Sequence, residues 1–95
     1  MRPWPVEITV NTNLPEGVAV DTERGQERIL SVTWEATAWR GVDSAPIIRI
    51  RGLGSGTWRV LATFGPDDRP DWAPEPPPLF EEMALALLDQ VAPAK

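Results

Sequence analysis

Residues 28–39 read Arg-Ile-Leu-Ser-Val-Thr-Trp-Glu-Ala-Thr-Ala-Trp, and this stretch decides the fold. Leu30, Val32, Trp34, Ala36 and Ala38 fall on one face, while Ser31, Thr33, Glu35, Thr37 and Trp39 fall on the other. A period of two with β-branched and aromatic residues is the mark of a strand with one face buried.

The same period appears on both sides of it. Val6 to Val10 alternates as a strand, and Asn11 to Gly17 has turn composition. Val18 to Val20 is expected to return as a short strand, because otherwise 11–27 would be an unusually long structureless loop. Asp21 to Gln26 is expected to be a second turn. Downstream, Gly41 to Pro46 breaks the pattern and Ile47 to Arg51 resumes it. Gly52 to Gly56 reads as a hairpin loop. Thr57 to Phe64 follows, with Trp58, Val60, Ala62 and Phe64 on one face. Short connections between alternating runs predict an antiparallel meander of four or five strands.

The composition changes after Gly65. Residues 66–77 form a proline-rich acidic connector, which proline's fixed φ should keep extended. Residues 78–92 carry Phe80, Met83, Ala84, Leu87, Leu88 and Val91 at spacings of three and one, an amphipathic helical stripe. Pro78 suits the first helical position, and Leu79 and Leu85 widen the apolar arc. Burying six such side chains contributes on the order of 10 kcal/mol before entropy, so the stripe needs a surface. The apolar face of the sheet is that surface. The expectation is one small α+β domain over 1–95: sheet over 1–65, connector over 66–77, and a C-terminal helix on one sheet face.

Chemistry is limited by what is missing. The chain has no histidine, cysteine or tyrosine, and Lys95 is the only lysine. Neutral-pH proton shuttling by imidazole, thiolate attack and zinc clusters are thereby excluded. With no His or Cys, nothing with an ordinary pKa except the amino terminus titrates between about pH 5 and 8. The reading is a non-enzyme without metal or cofactor. The longest apolar run, Met83 to Leu88, is far short of the ~20 residues that cross a bilayer, and Met1 to Pro5 is no secretory signal. A soluble cytoplasmic protein is expected, with no membrane partner. Eight arginines against one lysine suggest a GC-rich genome, such as an actinobacterium's or its phages'.

Several motifs have two readings. Gly52 to Gly56 could cradle a phosphate, but such loops lead into a helix and the Walker type adds a lysine; a hairpin fits better. Asp67, Asp68, Asp71 and Glu75 could hold a hard cation, yet the intervening prolines oppose wrapping, which favours a solvated connector. Pro74 to Pro78 contains a PxxP pattern without a basic anchor; a strap pinned by Trp72 is preferred. Glu7 and Glu35 are the only acids inside strands, with arginines on neighbouring strands as cross-strand partners.

The remaining surface is the sheet face away from the helix. By parity it carries Arg49, Arg51 and Arg59, with Trp39, Ile47 and Leu61 interleaved. Arginine and tryptophan dominate binding hot spots. The favoured function is a small protein-interaction module that binds and modulates a larger protein partner, a phage-encoded or accessory protein. Trp39, Arg49, Arg51, Arg59 and Trp72 are the candidate contacts. The alternatives are single-stranded nucleic-acid binding on this face and a structural homo-oligomer. A pI near 4.6 and the single lysine argue against nucleic acid.

Overall fold

The computed structural model describes residues 2–22, 25–70 and 77–92. Four strands, β1 (Trp4–Thr22), β2 (Gly25–Arg40), β3 (Ile47–Leu53) and β4 (Trp58–Phe64), are followed by one helix, α1 (Pro78–Val91). They form an antiparallel sheet in the order β1-β2-β3-β4, with α1 packed on one face. The α+β architecture expected from the alternation is present, with four strands among the described residues.

The helix begins and ends where its prolines and apolar spacing require. Pro77 is the N-cap and Pro78 takes the first helical position, where its missing N–H costs nothing. At the other end the Ala92 N–H donates to the Leu88 carbonyl at 3.0 Å. Phe80, Ala84, Leu87, Leu88 and Val91 are buried, while Leu79 is left exposed, so the arc is narrower than expected. The sheet answers with Val32, Trp34, Ala36 and Ala38 of β2 and Ile48 and Ile50 of β3, all essentially without exposure. Trp34 fixes the docking. Its indole N–H donates to the Phe80 carbonyl at 2.9 Å, and the two rings meet edge to face at 6.0 Å.

Two irregularities overturn parts of the sequence reading. The first lies in β1. No turn and returning strand separate Asn11 from Val20; one strand runs through to Thr22, still paired with β2. Asn13 pairs with Ser31 and Val18 with Ile29, so Leu14 to Gly17 bulge out opposite Leu30 alone. Gly17 supplies the positive φ of 71° that the bulge needs. Facing switches across this point: Ile29 is fully buried and Leu30 is exposed, the reverse of the expected parity. The expected second turn is narrower too, because the ladder reaches Thr22–Gly25 and leaves two residues between them.

The second irregularity lies in β4. Ile50 pairs with Ala62 but Arg51 pairs with Val60, which leaves Leu61 as an extra residue. Ala62 and Phe64 stay on the core face as expected, whereas Trp58 and Val60 turn to the opposite face. Leu61 packs against the core instead of standing on the outer face. Arg59, opposite Gly52, is likewise turned away from Arg49 and Arg51.

Gly52 shows how the ends of β2 and β3 fit together. A Cβ there would lie 2.8 Å from Ile29 Cγ2 and 2.8 Å from Leu61 Cδ1. The Ile29 side chain therefore lies against the Gly52 backbone, which only a residue without a side chain allows. The 52–56 loop joins β3 to β4 as a hairpin, closed by Gly54 N–H to Thr57 carbonyl at 3.2 Å.

Candidate functional site

The face opposite α1 is built from alternate residues of each strand. β2 contributes Ser31, Thr33, Glu35, Thr37 and Trp39, and β3 sets Leu53, Arg51, Arg49 and Ile47 beside the first four. After the Leu61 bulge, β4 contributes Thr63, Val60 and Trp58. β1 completes the face with Glu7, Thr9, Asn11 and Asn13.

Glu35 stands at its centre. One carboxylate oxygen accepts from Arg49 Nη2 at 3.1 Å, and the other faces Arg51 Nε at 2.5 Å. One negative charge thus holds two positive ones, leaving a local excess of about one positive charge before Glu7 is counted. The Arg51 guanidinium also lies 6.0 Å from the centre of the Trp58 ring, within cation–π range. Both arginine side chains keep a large exposed fraction, 49% and 39%, so each retains free donors. Toward β1 the face is tied by side-chain hydrogen bonds: Ser31 Oγ to Asn13 Oδ1 at 2.9 Å, and Thr33 Oγ1 to Asn11 Oδ1. Thr33 is buried on this nominally wet side.

Around the charged centre lie large apolar side chains in water. Trp39, Ile47, Trp58 and Val60 are between 43% and 57% exposed. Between the strands lies a depression of about 220 Å³ lined by Glu7, Glu35, Thr37, Ile47, Arg49 and Thr63. Small-molecule sites usually enclose ~300–1,000 Å³. A shallow, open surface of this kind suits a flat partner better than an enclosed ligand.

Of the residues singled out from the sequence, Trp39, Arg49 and Arg51 come together here. Arg59 does not; it pairs with Glu27 at 2.9 Å, both side chains being more than four-fifths covered. Trp72 lies outside the described residues, as do Asp71, Glu75 and most of the PxxP segment. Trp58 and Val60 were missed. Their signal was Val60-Leu61-Ala62, three apolar residues in a row, which strict alternation cannot place on one face. Among the described residues, no three acidic side chains stand close enough to hold a metal ion. No described helix is long and apolar enough to cross a membrane. Comparison with known protein families, curated proteins and solved structures gives no match.

Proposed function

We propose that the chain is a non-enzymatic protein-interaction module whose contact surface is the open face of the sheet. The observation that carries this is the cluster of exposed Trp39, Ile47, Trp58 and Val60 around the Arg49–Glu35–Arg51 centre. Exposed apolar side chains are ordinary when scattered; here Trp39 with Ile47 and Trp58 with Val60 flank the exposed guanidiniums from the two ends of one face. Tryptophan and arginine supply the contact area and directional donors that concentrate binding energy. The partner that fits is a protein surface with an apolar centre and carbonyl or carboxylate acceptors for Arg49 and Arg51.

The nucleic-acid alternative finds less support. Glu35 and Glu7 set carboxylates on the same face, and the net charge of −5 repels a polyanion.

The double variant Trp39→Ser/Trp58→Ser tests the reading. Both rings are nearly half exposed and leave the helix-covered core untouched. A partner captured by the wild-type chain and identified by mass spectrometry should bind the variant at least ~30-fold more weakly, the scale of one hot spot of ~2 kcal/mol. Far-ultraviolet circular dichroism should be unchanged. Equal affinity in wild type and variant would remove this face from the interaction.

A further inference from the structure

The two edges of the sheet are finished differently. At the β4 edge the core row is closed, with Ala62 at 7% and Phe64 at 5% exposure. At the β1 edge it is left ajar: Val6, Ile8 and Val10 are only half-buried, and Trp4 in the same row is exposed. The helix lies chiefly over β2 and β3 and covers β1 only in part.

The edges also differ in protection. Edge strands are normally blunted by brevity, bulges, prolines or inward charges, which discourage further pairing. β4 has seven residues, a bulge at Leu61 and Arg59 in its inward row. β1 instead runs from Trp4 to Asn13 in unbroken register with β2, with no Lys or Arg and only Pro5 near its start. Among the described residues, no strand lies beyond β1, whose outer edge runs beside an incompletely covered apolar row.

We infer that β1 is a dimer seam, at which a second copy of this chain adds its own β1 antiparallel. Residues directly opposite in an antiparallel pair share a face. Joining apolar row to apolar row therefore requires the twofold axis to pass through a residue, not between two. An axis at Glu7 would oppose two carboxylates. An axis at Ile8 sets Ile8 against Ile8 of the second copy and Val6 against its Val10, while Glu7 meets Thr9. This register closes the half-open row on both chains. The product is a continuous eight-stranded sheet with both helices on one side and both Arg/Trp faces on the other. The pairing is isologous, so it stops at two copies, because the remaining edges are the protected β4 strands.

The inference stands independently of the outer-face reading, and the two are separable. Sedimentation of the intact chain should give twice the 10.5 kDa of one copy, also for Trp39→Ser/Trp58→Ser. Ile8→Lys should return it to one copy, weakening association at least 100-fold, since the lysine can reach solvent in the monomer but is buried unpaired in the dimer. Ile8→Cys supplies a second readout that does not depend on loss of fold. The chain has no native cysteine, so any disulfide under mild oxidation joins two copies at the engineered site. It should form far faster than in a Thr63→Cys control on β4. A single-copy mass for the wild type at every concentration would overturn the seam. So would cross-linking of Thr63→Cys at the rate of Ile8→Cys, or a dimer that survives Ile8→Lys.

Discussion

Trp34 and Glu35 are neighbours on β2, yet they belong to opposite kinds of surface. Trp34 has no exposure, a ring against Phe80 and its single donor satisfied by a helix carbonyl. Glu35 looks the other way, into a layer of arginine and threonine that water reaches. On the inner side shape decides what is allowed, because volume cannot be changed without leaving a void or a clash. On the outer side charge decides, and water compensates for most changes. Sequence alternation records both facts in one strand, which is why β2 organises the molecule.

The sharpest way to break that contrast is Trp34→Ala. It removes the largest fully buried side chain among the described residues and the hydrogen bond that docks α1, so unfolding free energy should fall by about 3–5 kcal/mol. Because net stability of a domain is only ~5–15 kcal/mol, denaturation with urea should show a large loss or no folded baseline. Trp34→Phe, which keeps a ring but not the donor, should cost less. If Trp34→Ala were tolerated within 1 kcal/mol, the helix would not be held by this face.

How much of this was legible follows from the same physics. The strands around Val32–Ala38 and Ile47–Arg51 and the stripe from Phe80 to Val91 could be read directly, because burial repeats at the period of the backbone. Where the backbone slips, the period fails. Leu14 to Gly17 has turn composition, and turn composition is also what a bulge needs; only pairing with β2 distinguishes the two. At Leu61 one extra residue carried Trp58 and Val60 to the open face and Arg59 away from it. Trp39, Arg49 and Arg51 stand on one face, as the alternation predicts, while the third strand presents Trp58 and Val60 there in place of Arg59 and Leu61. The glycines of 52–56 were read as turn formers; for Gly52 the reason is contact with Ile29, a long-range fact that no local pattern contains.

Gly52→Ala sharpens the contrast from the crowded side. Its added methyl would stand 2.8 Å from Ile29 and Leu61 side-chain atoms, so both must shift. Overpacking of this kind costs about 1–3 kcal/mol. Combining it with Ile29→Ala should recover part of the penalty, a coupling that a double-mutant cycle in urea would read. Additive losses would mean that the two sites do not touch. The same methyl at Gly56, where nothing lies within 4 Å, meets no neighbour, although φ there is +80° and the backbone itself resists the change.

The smallest effect is expected at Glu35→Gln. Removing the charge leaves Arg49 and Arg51 side by side without their shared counter-ion, but both arginine side chains are well exposed and Glu35 itself is 23% exposed. Exposed ion pairs contribute about 0–1 kcal/mol, and the loss should stay within that range. It should also shrink as salt rises toward about 1 M, where the Debye length falls to roughly 3 Å. Trp34→Ala should show no such salt dependence, since a void is indifferent to ions. A Glu35→Gln penalty as large as that of Trp34→Ala, or one unaffected by salt, would mean that the outer face is sealed like the inner one. Thr33, buried on that side, and the covered Glu35 Oε1 and Arg51 Nε atoms show where such sealing begins.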